Sequence, residues 1–494
     1  MSEAEPKSAL PDAARLPSPP AGGGRYDAIV IGAGMSGLAA GIRLAQFDRR
    51  VLILERHSLW GGLNSFYKRA GRRIDTGLHA LTNFARKGAR GAPLTKLLRQ
   101  LRIPWESLAL AEQTYSEIVF PSARLRFSNG FGMLADDVAA AFPAQRDGFA
   151  RLVSAIGAVD PYHAPEGRSE PDEGGRAFLA RYVDDPLLAD MLLCPICLYG
   201  SAREDDVDGY QLVILFRSIF QEGLARPDGG IKRILDLLVS RYRELGGVLR
   251  MNTGVRSIRI ERGPSGTTTA RGVVLDDGTE IEAERVFSSA GLVETLGLAG
   301  RAPLERDQGR ISFLESITVL DRPTASLGHD ATMTFYSTQD RFEYRRPEGL
   351  VDARSGVICA SDNYRSSEPR TEGVLRVTAL ANHERWCALP EEEYRAAKQS
   401  SVDEVLDVAA RFAPDPRPHA VFQDVATPRT IRRYTGKLGG AVYGSPNKRR
   451  LGDTGVENLH LLGTDQGLVG IVGALLSGIT MANREALLAP TEAS

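Results

Sequence analysis

Short apolar runs alternate along this chain with stretches of helical period. Ala28-Ile29-Val30-Ile31 is almost wholly apolar, as a parallel strand buried on both faces requires. A helix-compatible segment, Leu38 to Gln46, follows it, and then a second apolar strand, Val51 to Leu54. Further on, Ile231, Ile234, Leu235, Leu238 and Val239 recur at helical spacing until Gly246-Gly247 stops them. Strands at 248–250 and 255–258 come next, then two alternating strands around the Asp277-Gly278 turn. Runs such as SITVLD and VLRVTAL predict a second sheet within 301–424, with helices from Glu391 onward. Near the end, Leu459 to Leu462 reads as a strand, Gly467 to Val472 as a glycine-bearing loop, and Gly473 to Leu487 as a helix. The apolar stripe Leu212, Leu215, Ile219, Phe220 within 207–225 fits a core helix; a cap over a lipid tunnel or a helix lying on a membrane are its alternatives.

Glycine placement turns this pattern into chemistry. Gly32, Gly34 and Gly37 give G-x-G-x-x-G between the first strand and its helix, and Glu55 ends the second strand about twenty residues later. The first glycine of such a turn permits the bend, the second lets backbone approach a pyrophosphate, and the third lets helix and strand pack closely. The helix N-terminus offers its unpaired N–H groups to the phosphates, and the carboxylate accepts the hydroxyls of an unphosphorylated ribose. Dinucleotide binding follows; NAD and FAD both remain open at this point. Gly61-Gly62 favours the longer ligand, because backbone must run close beside it a second time. Within RRIDTGLHAL, Ile74 points inward from a strand and Asp75-Thr76-Gly77 makes a turn.

At 494 residues the chain exceeds one ordinary core, so two interleaved domains are expected. Its 43% hydrophobic and 25% charged content is that of a soluble globular protein. A net charge of −1 gives no basic footprint for nucleic acid. Four cysteines are too few for a disulfide scaffold and point to a reducing, cytoplasmic setting. Residues 1–25, rich in Ala, Pro, Ser and Gly, read as a disordered leader without the apolar region of a secretory signal. No run of about 18 apolar residues predicts a spanning helix.

These motifs resemble the FAD-dependent phytoene desaturase, carotenoid isomerase and retinol saturase family, within the flavin amine-oxidase-like superfamily. The resemblance spans most of Tyr26 to Leu487. Its carriers are Gly32 to Gly37 with Glu55, Gly61-Gly62, Asp75-Thr76-Gly77-Leu78-His79, PDGGIKRI, the block Ala426 to Gly444, and GTDQGLVGIVGALLSG. It implies an α/β fold in which a discontinuous Rossmann-type FAD-binding domain (26–130, 225–300 and 425–490) interleaves with an α+β substrate domain (131–224 and 301–424). By the same resemblance Gly32, Gly34, Ser36 and Gly37 surround the pyrophosphate and Glu55 holds the adenosine ribose. Gly61, Gly62, Leu63 and Asn64 run along the ribityl chain and flavin, and Val255 meets the adenine. Asp465 meets the ribityl-phosphate region, while Gly470, Ile471 and Val472 approach the ring.

The implied chemistry is hydride transfer at flavin N5 to or from a long apolar polyene or isoprenoid, as desaturation, saturation or isomerisation. Such a step needs orientation and water exclusion more than a strong acid. Its electron partner is oxygen, a quinone or a reduced carrier, and its substrate could be drawn from a membrane by peripheral contact. C–N bond oxidation and a flavin-binding protein without turnover are the alternatives. No hydrolase or zinc motif appears, and the seven histidines show no metal spacing. Cys194 and Cys197 lie in an apolar stretch and read as buried structural thiols. His79 is weighed as a proton donor, as an anchor for a polar head group, or as a partner of loop carbonyls. Tyr434 and Tyr443 are weighed as cavity lining against plain packing, and Arg429, Arg432 and Arg433 as a solvated basic face against a head-group site.

Overall fold

The computed structural model describes residues 25–159, 173–367 and 369–488. The expected leader therefore lies outside the described residues, apart from Arg25.

Three distant parts of the chain build one sheet. Its strands run Val255–Arg262, Thr268–Leu275, Glu280–Ser288, Tyr26–Ile31, Val51–Leu54 and Val248–Arg250, and Leu459–Leu461 adds to Glu280–Ser288. The pairs around Tyr26–Ile31 are parallel. Parallel strands need cover on both faces, and the alternation supplies it. Val30 packs with the helices Met35–Ala45, Ile231–Glu244 and Gly470–Ala482, while Ile29 and Ile31 pack against Ile258, Val273 and Val286. The last of these helices begins at Gly470, three residues earlier than its pattern predicts, so Gly470 to Val472 form its first turn. It lies directly on the glycine-loop helix. A Cβ at Gly478 would sit 2.1 Å from the Ser36 carbonyl oxygen, so only glycine permits this approach.

The second sheet runs Ala420–Ala426, Ser312–Leu320, Gly373–Ala381, Val351–Ala360, Met333–Ser337, Ser116–Val119 and Arg124–Phe127. Its last two strands come from a segment that the boundary at residue 130 had grouped with the nucleotide-binding part. They belong here because Met333–Tyr336 pairs in parallel with Ser116–Val119, and Leu125 and Phe127 face the second core while Arg124 and Arg126 are exposed. One face of this sheet packs on the helices Pro186–Gly200 and Gly209–Phe216; the other is covered by Glu391–Ala409 through Val402, Val405 and Leu406. Leu212, Leu215, Ile219 and Phe220 are at most 3% exposed, so the stripe in 207–225 is core and presents no apolar face to a membrane. Among the described residues no helix is long and apolar enough to cross a membrane.

Candidate nucleotide crevice and the charged cluster beside it

The three glycines of the first turn are glycines for different reasons. Gly32 has φ +99°, and a Cβ on it would sit 2.3 Å from Ser289 Oγ. At Gly37 a Cβ would meet the Gly32 carbonyl oxygen at 2.0 Å. Both are fixed by the protein itself. Gly34 is not: its backbone (φ −75°, ψ 179°) suits any residue, and a Cβ there would find no protein atom nearer than 4.0 Å. No protein atom closes the space in front of it. Gly34 also caps the N-terminus of Met35–Ala45, where no side chain accepts from the helix N–H groups. An uncapped, glycine-fronted helix start suits a diphosphate.

Glu55 stands at the edge of this loop. Its Oε2 accepts from the Ala33 N–H at 2.8 Å and its Oε1 from the His57 N–H at 2.9 Å. Each carboxylate oxygen can accept more than one hydrogen bond, so acceptor capacity remains for a ribose. The Thr253 N–H donates to the Glu55 carbonyl at 2.8 Å, which brings the start of the Val255–Arg262 strand alongside. Tyr434, 52% exposed, meets His57 edge to face; it lies on the surface beside this end of the crevice and lines no interior cavity. Arg432 and Arg433 are also exposed, while Arg429 stacks on Tyr394 and pairs with Glu391 at 3.1 Å.

The second glycine pair closes against the first. The Gly61 N–H donates to the Ala33 carbonyl at 2.9 Å, Gly34 and Gly61 form a parallel bridge, and a Cβ at Gly62 would lie 3.7 Å from Gly34 Cα. Gly61 to Asn64 then turn, with the Asn64 N–H on the Gly61 carbonyl at 3.1 Å. The Gly77 turn packs on them, since a Cβ there would lie 2.5 Å from the Leu63 carbonyl oxygen. From the far end of the chain, Gly463 would bring a Cβ within 3.2 Å of Ser36 Oγ, and Gly470 one within 3.6 Å of Thr82 Oγ1. Ile471 and Val472 are buried in the core shared with the glycine-loop helix, so only main chain and Gly470, which is exposed, are free of that packing. The Asp465 carboxylate is almost fully buried and accepts from the Leu292 N–H at 2.8 Å and the Ser445 N–H at 2.6 Å. It fastens three loops together, and the main chain of the Gly463–Gly467 turn is itself tied down by Ser477, Arg449 and Gln211.

His79 lies just past the Gly77 turn, inside a chain of charges that sequence patterns do not join. Its Nε2 is 2.7 Å from Glu315 Oε1 and its Nδ1 is 3.0 Å from the Tyr199 hydroxyl. Arg376, 2% exposed, donates to the same Glu315 oxygen at 3.1 Å and also to the Asp75 carbonyl. Asp75 in turn holds Arg226 at 2.6 Å. Burial works to raise the Glu315 carboxyl, but Arg376 and His79 outweigh it and hold the group at about 2. Tyr199 stays protonated, its hydroxyl pushed well up by burial. Glu315, Arg376, Tyr199 and Arg226 had no motif to mark them. The available signal was one lone acid in SFLESITVL and one lone base in GVLRVTALA, each too costly to bury without the other.

Other expectations fall on packing. Tyr443 donates to the Leu198 carbonyl at 2.5 Å and meets Phe313 edge to face. Cys194 and Cys197 are free, buried thiols on one helix, with burial pushing both up in pKa. Among the described residues no cluster of His, Cys, Asp and Glu could hold a metal ion.

The model for flavin-containing amine oxidoreductases matches residues 35–484. The chain is 24% identical to a chloroplastic prolycopene isomerase of Arabidopsis thaliana, covering 93% of this chain and 82% of that one. It is 23% identical to an all-trans-retinol 13,14-reductase of Danio rerio (92% and 85% covered) and 27% identical to a phytoene desaturase of Neurospora crassa (54% and 48% covered). Among solved structures, an oxidoreductase from Methanosarcina mazei superposes with a TM-score of 0.63 at 17% identity, over 92% of this chain and 100% of that one. The cyclohexylamine oxidase of Brevibacterium oxydans gives 0.59 at 15% identity, over 94% and 98%.

Proposed function

The chain belongs to the flavin-containing amine oxidoreductases, enzymes that use FAD, and on that premise we propose that it acts on a long apolar polyene or isoprenoid. The change is desaturation, saturation or isomerisation of the carbon skeleton. Relatives named for prolycopene, retinol and phytoene support this reading, two of them matching over more than nine-tenths of the chain. The amine-oxidase likeness, at 15% identity, carries fold alone.

Gly34 supports the cofactor site: conformation and packing leave it unexplained unless a ligand takes the space. In this proposal Gly32, Gly34, Ser36 and Gly37 hold the pyrophosphate, Glu55 the ribose, and Val255 the adenine through its main chain. Gly61, Gly62, Leu63 and Asn64 lie along the ribityl chain and ring, with Asp465 and Gly470 to Val472 on the opposite side. FAD, when bound, supplies a two-electron acceptor or donor. The chain orients the substrate and keeps water away.

The charge balance beside the crevice is the observation that carries the substrate reading. An ammonium substrate needs an unmatched acid or an aromatic cage. Glu315, the acid of this cluster, is already matched by Arg376 and His79. Beside it Tyr199 packs on Phe335 and Met333, so the neutral side chains next to the cluster are apolar and buried. The test is expression in cells that accumulate phytoene or other linear isoprenoids, with analysis of the extracted lipids. A shifted polyene absorption or a new isomer supports the reading. Unchanged polyenes together with turnover of primary amines would overturn it.

A further inference from the structure

Every two-electron change of a C–C bond between single and double moves two hydrogens, one with an electron pair and one as a proton. The flavin accounts for the first. The second needs a group that exchanges protons, set among apolar side chains.

Tyr199 occupies such a place. It ends the helix Pro186–Gly200, and a Cβ on the adjoining Gly200 would sit 2.9 Å from Val469, the residue that caps the terminal helix. On its other side is His79, whose loop packs on Leu63 and Asn64 through Gly77. Tyr199 is therefore linked, through Gly200 and through His79, to both of the segments assigned above to the flavin. Its ring meets Phe335 at 5.2 Å, and its hydroxyl lies 3.3 Å from Met333 Sδ and 3.0 Å from His79 Nδ1.

The hydrogen bonds fix the order of donors. Glu315 is ionised and can only accept, so His79 Nε2 carries a proton and donates to it at 2.7 Å. His79 Nδ1 is left to exchange with the Tyr199 oxygen. With a neutral imidazole, Tyr199 donates to Nδ1; with an imidazolium, Nδ1 donates to Tyr199, whose own O–H then points at Met333 Sδ. Both patterns satisfy the contacts seen. The other groups around the ring are Arg376 and Thr378 on the neighbouring strand, while Cys359 and Tyr364 reach only the His79 carbonyl. Burial holds both the Cys359 thiol, at about 11, and the Tyr364 hydroxyl in their protonated forms. An imidazole has a nitrogen on each side of the ring, so it can take up a proton at one and release it at the other.

We propose that Tyr199, backed by His79 and Glu315, passes the proton that accompanies the two-electron change in the substrate. In the saturating direction the Tyr199 O–H bond breaks, and a C–H bond forms with the pair from the substrate π bond. The phenolate takes the Nδ1 proton of the His79 imidazolium, and water reprotonates the neutral imidazole. Reduced flavin, when bound, would supply the hydrogen and electron pair of the second C–H bond. In the desaturating direction the same bonds break and form in reverse, and oxidised flavin, when bound, would accept the pair. The carbon acid rests on the polyene reading; the relay itself does not.

The experiment uses the full-length, FAD-loaded protein. Nitrogen-15 NMR of the ring nitrogens shows which of them carries the His79 proton, without substrate, in wild type and in Glu315→Gln. The relay requires the proton on Nε2, facing the carboxylate, in wild type; a wild-type His79 with its proton on Nδ1 alone overturns it. Turnover of a linear polyene is then compared in wild type and Tyr199→Phe, which keeps the ring. A kcat lower by about 10²–10⁴-fold, with KM and FAD affinity held, is expected; an undiminished kcat overturns the proposal. Should wild type act on no polyene, the substrate reading falls and the nitrogen spectrum alone decides the relay.

Discussion

Replacing Gly34 with serine separates ligand space from protein packing. The Gly34 backbone accepts any residue, and a new Cβ would clear every protein atom by 4.0 Å or more. Serine is a favoured helix N-cap and restricts the unfolded chain more than glycine does. The apo protein should therefore hold its stability or gain about 0.5–1 kcal/mol, seen as a melting midpoint unchanged or about 1–3 °C higher. FAD binding should move the other way. The serine oxygen takes the N–H groups that a pyrophosphate would use, and one lost hydrogen bond to a charged group costs about 1.5–3 kcal/mol. That is a Kd raised roughly 10- to 150-fold, read by quenching of flavin fluorescence. Gly37→Ala is the control, because its Cβ would lie 2.0 Å from the Gly32 carbonyl oxygen. It should lower the apo midpoint, at a cost of about 1–3 kcal/mol, whether or not FAD is present. The reasoning is refuted if Gly34→Ser loses as much apo stability as Gly37→Ala, or if it binds FAD as wild type does.

Other outcomes follow from the buried charges and thiols. Arg226→Met strands Asp75, which is 7% exposed, and should cost about 3–5 kcal/mol in urea unfolding; a loss under about 1 kcal/mol would show that the pair is not buried as described. The Glu315 carboxyl, held at about 2 against an ordinary 4.5, contributes stability that is complete above about pH 4.5 and lost as pH falls toward 2. The whole limb is worth roughly 3 kcal/mol, about 2 of it between pH 6 and 3, and that part should be missing from Glu315→Gln when urea unfolding is compared between those two pH values. In the native protein a thiol reagent should modify Cys387 alone at an appreciable rate, with Cys194, Cys197 and Cys359 reacting only after denaturation; prompt reaction of two or more thiols would contradict their burial.

The parts of the fold legible in sequence are those where local pattern and tertiary demand coincide. Ala28 to Ile31 and Val51 to Leu54 read as buried parallel strands because neither face tolerates a polar residue. The Asp277-Gly278 turn and the helix from Ile231 were equally plain, each with its own stop signal. The membership of Ser116–Phe127 in the second sheet was not, because so short a strand is assigned by its partner, and Met333–Ser337 lies some two hundred residues away. In the site, Gly34, Glu55 and Gly61 announce themselves by spacing, and the structure brings them together. Glu315 and Arg376 do not, since Glu315 faces Thr378 and Arg376 faces Ile317 in register, and only the diagonal between strands joins the two charges. Tyr199 is hidden differently: at the end of LLCPICLYG it looks like one more core residue until His79 reaches it from another part of the chain.

Hydrogen exchange with mass spectrometry, run with and without FAD, tests most directly whether turns from both ends of the chain enclose one ligand. Simultaneous protection of peptides covering 32–37, 61–64 and 463–472 is the predicted result. Protection confined to the first of these, with 463–472 exchanging as in the apo protein, would contradict it.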